Sequence, residues 1–231
     1  VNLLDFLFPK QCVQCRRFGS YLCANCFSYL SFHVSSLCLV CDRPSLDDKT
    51  HPSCRSLYAI DGACASIAYN GIAKKLIFQF KYKPYLSHLT EVLGDLFYEG
   101  IIQKPLFDTA RLNTSLLVPI PLYKTKLQKR GYNQAELLAK DFGKRVTLPV
   151  IDLLDRTKNT PTQVGLSKME RKENIKGAFA IKPKYKASIK QASILLVDDV
   201  LTTGSTMLEA ANILKRAGAK RVWGITLAQG Q

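Results

Sequence analysis

ILLVDDVLTTGSTM, running from Ile194 to Met207, decides how this chain is read. Ile194 to Val197 are consecutively apolar, the pattern of a strand buried on both faces. The segment after it places Met207, Ala210, Ala211 and Leu214 at the i, i+3, i+4, i+7 spacing of a helix, which stops at Gly218. Between strand and helix, Asp198 and Asp199 lead into Thr202, Thr203, Gly204, Ser205 and Thr206. Backbone N–H groups at a helix N-terminus favour a phosphate, a glycine lets the chain approach it, and hydroxyls add donors. Two carboxylates would repel that phosphate. They must address ribose hydroxyls, directly or around a magnesium ion, which takes a few carboxylates together with substrate oxygens. A phosphorylated ribose satisfies every group in the stretch. A capped helix after a buried strand would need neither the paired acids nor five small or hydroxylated residues in succession. A P-loop is excluded, because the chain has no Gly-Lys-Ser or Gly-Lys-Thr.

The same alternation extends outward over residues 57–231. Ala63 to Tyr69 reads as a strand and Ile72 to Phe80 as a helix. Leu86, Leu89, Leu93 and Leu96 mark the apolar face of a helix from about Tyr85 to Ile102, and Leu116 to Ile120 is a short buried strand ending in a Pro-flanked loop. Asn133 caps a helix whose inward face is Ala135, Leu138, Ala139 and Phe142, with Glu136 at the capping-box position. Arg221 to Ala228 is a closing strand. Strands separated by helices predict an α/β, Rossmann-like parallel sheet with helices on both faces, whose ligand lies beyond the carboxyl ends of the strands. Cys64, in the alternating stretch ACASIAY, reads as a small buried hydrophobe. His33 and His88 have no ligand-spaced partner, and no function is assigned to them.

Residues 1–56 have a different logic. Seven of the eight cysteines precede residue 55: Cys12-x-x-Cys15 and Cys23-x-x-Cys26, then Cys38-x-x-Cys41 and His51-x-x-Cys54. Each pair can place two ligands on one side of a metal, and two pairs complete a tetrahedral zinc site. A disulfide framework would use the same residues, but no export signal accompanies them. Sequential pairing needs only short loops and is the expectation, whereas cross-bracing would mix the pairs. With little apolar content between the knuckles, zinc is expected to stabilise this module directly.

An apolar fraction of 47% in 231 residues suffices for one substantial core plus such a module. No apolar run approaches the roughly 18 residues of a membrane span. The opening VNLLDFLFPK holds Asp5 within its apolar patch and has no basic stretch before it, so a cytoplasmic location without membrane insertion is expected. Lys and Arg number 33 against 18 Asp and Glu, a net charge of +15 that a polyanion or bound phosphates would offset. A merely soluble basic surface has the same composition.

ILLVDDVLTTGSTM resembles the 5-phosphoribosyl 1-diphosphate (PRPP) signature of type I phosphoribosyltransferases. Together with the two cysteine motifs, FKY at Phe80 to Tyr82, RGYNQAELLA from Arg130 and TPTQVGLSKMERKENIKGAF from Thr160, the chain resembles the ComF family (ComFC- and GntX-like) over nearly its full length. That family joins a double zinc ribbon to a type I phosphoribosyltransferase fold. The resemblance implies that Asp198 and Asp199 hold the ribose 2'- and 3'-hydroxyls and that Thr202 to Thr206 wrap the 5'-phosphate. Pro119 to Arg130 takes the position of the pyrophosphate loop, with Lys124, Lys129 and above all Arg130 supplying charge there, and Lys81 adding to it. The polar segment from Thr157 to Lys176 takes the position of the loop that closes over PRPP, with Gln163, Arg171 and Asn174 as its motif residues. The implied chemistry is displacement of pyrophosphate from PRPP with magnesium and no protein nucleophile. The implied partners are PRPP, single-stranded DNA taken up in natural competence, and a competence helicase or other DNA-processing proteins. Three functions are compatible with these residues: phosphoribosyl transfer to an unidentified acceptor, handling of single-stranded nucleic acid, and PRPP sensing without turnover.

Overall fold

The computed structural model describes residues 9–82, 87–106, 115–160 and 168–230. Among these, the strands are β1 (Gly62–Ala68), β2 (Ser115–Pro119), β3 (Leu154–Arg156), β4 (Phe179–Ile181), β5 (Ser193–Leu201) and β6 (Arg221–Gln229). The helices are α1 (Ala24–Phe27), α2 (Gly71–Tyr82), α3 (Ser87–Ile102), α4 (Lys124–Arg130), α5 (Gln134–Val146), α6 (Lys168–Ile175), α7 (Lys186–Ile189) and α8 (Ser205–Arg216). β1, β6, β5 and β2 lie side by side in that order, all parallel, and β3 pairs with β4 in a separate antiparallel hood.

Alternation along β5 divides the interior into two cores. Leu195 and Val197 pack with Leu76, Leu93, Phe97, Leu138 and Phe142 from α2, α3 and α5. Ile194 and Leu196 point the other way, to Met207, Ala210 and Leu214 of α8 and to Leu154 and Phe179 of the hood. Helices therefore cover both faces, as the unbroken apolar run of β5 predicts. Each such fully buried side chain contributes about 1.5–3 kcal/mol relative to exposure. Cys64 is 1% exposed in β1, and burial pushes its thiol well above the usual range, which leaves it inert.

Three expected boundaries move. β5 continues beyond Val197, because Val200 and Leu201 still pair with Ala228 and Gln229 of β6, so the aspartates belong to the strand and not to a loop. The Pro-flanked segment after β2 winds into α4, which ends at Gly131 with φ 79. The second half of the segment expected to be the loop closing over PRPP is helical, and Ile175 of α6 is buried in the hood-side core. Gln163, the expected start of α3 at Tyr85 and the side chains of His88 and Arg171 lie outside the described residues.

The cysteine-rich segment is two copies of one turn. In each, the first cysteine's N–H donates five residues ahead (Cys12 to the Arg17 carbonyl, Cys38 to the Arg43 carbonyl, both 2.9 Å). The residue after the second cysteine has positive φ, Arg16 at 64° and Asp42 at 58°. This segment does not stand apart from the α/β core. Val13 and Leu30 are buried in one core and Leu39 in the other. Backbone N–H groups of Ala63 and Ala68 donate to the Asp48 and Ser31 carbonyls, and Gln229 Nε2 donates to the Ser35 carbonyl. The few apolar residues between the knuckles are spent on the α/β domain, so metal is not their sole support. Among the described residues, no helix is long and apolar enough to cross a membrane.

Candidate functional site

The carboxyl ends of β5 and β2 open onto a cavity of about 430 Å³. Its floor is the turn Thr202 to Gly204 and the first residues of α8. Gly204 sits at φ 70, a left-handed conformation that glycine adopts without penalty. A Cβ there would also lie 2.3 Å from Leu39 Cδ1 of the second knuckle, so space and backbone both demand glycine. Among the described residues no side chain caps α8, which leaves the N–H groups of its first turn open to an anion. Thr203 Oγ1 and Ser205 Oγ share a hydrogen bond at 3.0 Å beside them.

Asp198 and Asp199 stand at the opposite sign of charge. Lys81, in the last turn of α2, reaches across to Asp199 at 2.9 Å, with both side chains largely buried. Burial alone would lower the Lys81 pKa, but Asp199 and then Asp198 more than offset it, and the ammonium is held above the usual lysine range. Asp198 accepts the Asp199 N–H at 2.8 Å. Burial, reinforced by the neighbouring Asp199 carboxylate, pushes its carboxyl up to about 7. Lys81 pairs with Asp199, and among the described residues no cation makes an ion pair with Asp198. That donor set fits a divalent cation shared with sugar hydroxyls, and Asp198 and Asp199 would hold it.

RGYNQ, residues 130–134, joins three elements at the cavity wall. Arg130 Nη1 donates to Gln134 Oε1 at 2.9 Å and the guanidinium lies over the Tyr82 ring, 5.4 Å from its centroid. The Tyr132 hydroxyl donates to the Phe80 carbonyl, which ties α2 and hence Lys81 to this segment. Asn133 accepts from the Ala135 N–H at 3.1 Å as the N-cap of α5 and donates to the Ile120 carbonyl at 3.0 Å. Glu136 turns forward to Lys140 at 2.6 Å. Gln134 is 1% exposed and lines the cavity, and its Nε2 has no hydrogen-bond partner among the described residues.

Asp198, Asp199, Thr202, Thr203, Gly204, Ser205, Thr206, Lys81 and Arg130 therefore line one cavity. Lys124 does not. It lines a neighbouring depression with Leu127, Asp152 and Lys182. On a helix, positions 126 and 130 share a face while 124 and 127 share another, so α4 presents Lys126 and Arg130 to the cavity and turns Lys124 away. Reading the segment as a loop hides that distinction. Arg156 also reaches the cavity, from β3, a three-residue strand with no periodicity to announce it. Asn174 of the α6 motif does not line the cavity, and its buried Nδ2 has no hydrogen-bond partner among the described residues.

The cysteines gather into two groups, Cys12, Cys15, Cys23 and Cys26, and Cys38, Cys41, His51 and Cys54, each with ligand atoms within 4.8 Å of one another. This is the sequential pairing. Zinc–sulfur bonds of about 2.3 Å set tetrahedral sulfurs about 3.8 Å apart. Cys15 and Cys23 Sγ are 3.6 Å apart and Cys41 Sγ is 3.3 Å from His51 Nδ1. His51 Nε2 lies 2.9 Å from the Pro44 carbonyl, so the proton belongs there and Nδ1 keeps its lone pair for metal. Both groups fit zinc.

A family model described as Phosphoribosyl transferase domain matches residues 127–231, and one described as Double zinc ribbon domain matches residues 3–58. Competence protein F of Haemophilus influenzae is 38% identical over 115 residues, 48% of this chain and 50% of that protein, so the match spans about half its length. The DNA utilization protein YhgH of Escherichia coli is 30% identical over 223 residues, covering 87% of this chain and 93% of its own. Competence protein ComFC of Bacillus subtilis is 27% identical over 217 residues, covering 89% and 83% respectively.

Proposed function

The chain belongs to the ComF family of double zinc ribbon proteins with a phosphoribosyltransferase domain, and from that premise we propose that it binds PRPP with magnesium and serves DNA handling during competence. The acid pair of β5 set against the free N-terminus of α8 carries this reading. In it, the uncapped first turn of α8 and the hydroxyls of Thr202 to Thr206 hold the 5'-phosphate, while Asp198 and Asp199 accept from the ribose hydroxyls. Arg130, fixed by Gln134 and Tyr82, and Lys81 face the diphosphate, where positive charge stabilises a departing anion. Magnesium, when bound, would neutralise diphosphate charge and polarise its bond to the sugar. An acceptor entering beside the anomeric carbon would complete a phosphoribosyl transfer.

Calorimetry with PRPP and magnesium tests the site directly. Asp198→Lys is expected to abolish binding while the zinc content stays at wild type, and undiminished binding would refute the assignment. Release of diphosphate over a panel of nucleobases, nucleotides and DNA separates transfer from PRPP sensing.

Single-stranded DNA is a second ligand that the surface favours. Phe18, Phe27 and Tyr29 are exposed on the ribbon, as are Arg16 and Arg17, a combination suited to base stacking over a phosphate backbone, on a chain of net charge +15. Affinity for oligo(dT) should fall steeply as salt rises, and a flat salt dependence would exclude this mode.

A further inference from the structure

Two cations in the cavity are left over once the ribose, phosphate and diphosphate groups have been assigned. Lys126 of α4 and Arg156 of β3 converge on one residue, Thr160, which is 3% exposed. Lys126 Nζ donates to its carbonyl at 2.9 Å and Arg156 Nη2 to its hydroxyl at 2.5 Å. Arg156 is fixed from behind by Phe179 of the hood, 5.5 Å from guanidinium carbon to ring centroid. Both side chains line the cavity that holds Asp198. Among the described residues no carboxylate makes an ion pair with either, and Asp198 attracts Arg156 only through space. Arg156 Nε is buried and has no hydrogen-bond partner among the described residues.

Bringing two cations together in a partly desolvated wall is unfavourable without an anion between them. Burial, followed by repulsion from Arg156 and Arg130, lowers the Lys126 pKa, and burial lowers that of Arg156. Lys81 already has Asp199, and Arg130 is directed by Gln134, so those two are organised separately from this pair. Resting on the PRPP reading above, we propose that Lys126 and Arg156 form a distinct oxyanion subsite for an acidic group, carboxylate or phosphate, on the molecule that receives the phosphoribosyl group. The acceptor is accordingly an anion rather than a neutral base. A planar guanidinium beside a lysine is the arrangement that recognises such a group.

The rival source of the same chemistry is the diphosphate of PRPP itself, and the experiment separates the two. Sulfate, a fixed dianion at neutral pH, is titrated calorimetrically into zinc-loaded full-length protein saturated with PRPP and magnesium, so that the diphosphate already occupies its own cations. Wild-type protein is expected to bind one sulfate. Arg156→Gln and Lys126→Met should each weaken that binding at least tenfold while the Kd for PRPP stays within threefold, and Arg156→Lys should recover part of the loss. Unchanged thermal midpoints confirm that the variants fold, with Arg156→Lys as the variant that retains charge if Arg156→Gln does not. A tenfold loss of PRPP affinity in Arg156→Gln, with no sulfate site in the saturated wild type, would assign the pair to the diphosphate and overturn the proposal. If PRPP fails to bind the wild type at all, the PRPP reading falls. Sulfate titrated into the free protein then decides the subsite alone: loss in both Arg156→Gln and Lys126→Met supports it, and no loss overturns it.

Discussion

Asp198 is the residue whose chemistry most directly links pH to ligand. Burial and the adjacent Asp199 raise its carboxyl to about 7 from an ordinary 3.8, so between those values the folded chain holds a proton that the unfolded chain gives up. Unfolding across that window releases the proton, so this group's contribution to the stability of the unliganded protein declines as pH rises from about 4 to about 7. In the proposed complex ligand binding has the opposite trend, because accepting hydrogen bonds from ribose hydroxyls and coordinating magnesium both need the carboxylate. PRPP binding in the presence of magnesium is expected to tighten from pH 6 to pH 8 and to release a proton at the lower end. Calorimetry in two buffers of different ionisation enthalpy measures that proton, and Asp198→Asn should eliminate it. The place of Asp198 at the cavity is legible from sequence, because an acid pair directly before a run of small and hydroxylated residues marks the end of a buried strand as a site. Arg156 is not, since a lone arginine between Asp155 and Thr157 acquires its place only when the hood folds over the cavity.

At the scale of elements, the wall of the site is a joint between α2, α4 and α5. Tyr132 carries that joint by donating to the Phe80 carbonyl, one residue before Lys81. Tyr132→Phe removes the donor and leaves the ring in place. It is expected to cost about 1 kcal/mol in urea denaturation and to weaken PRPP binding by loosening Lys81; an unchanged midpoint would show that the α2 terminus needs no such tie. Strands and long helices were readable because burial on two faces or one writes a period into the sequence. The ends were not. The apolar run stops at Val197 while backbone pairing continues to Leu201, since hydrophobicity reports what a face touches and says nothing about where a ladder ends. α4 escaped for a related reason: KTKLQKR has one large apolar residue in seven and no buried face, so no periodic stripe marks it as helix.

Across the whole molecule, cysteine spacing foretold both metal groups, because ligand pairs must be close in sequence to be close around one ion. What spacing could not foretell is where the ribbon docks, which depends on Val13, Leu30 and Leu39 finding two cores built mostly from later sequence. Removal of zinc by a chelator is therefore expected to lower the thermal midpoint of the entire chain and to weaken PRPP binding at least tenfold. A fluorescence melt and calorimetry would check this, and wild-type PRPP affinity in the zinc-free protein would show the two halves to be independent. The contact that matters most is Leu39 against Gly204. Leu39 lies between two zinc ligands, Cys38 and Cys41, and occupies the volume that a side chain on the phosphate loop would need. Oxidation or demetallation of that knuckle would withdraw the prop from beneath the turn, so that, in the proposed complex, the grip on a sugar phosphate would become a gauge of zinc occupancy and thiol oxidation.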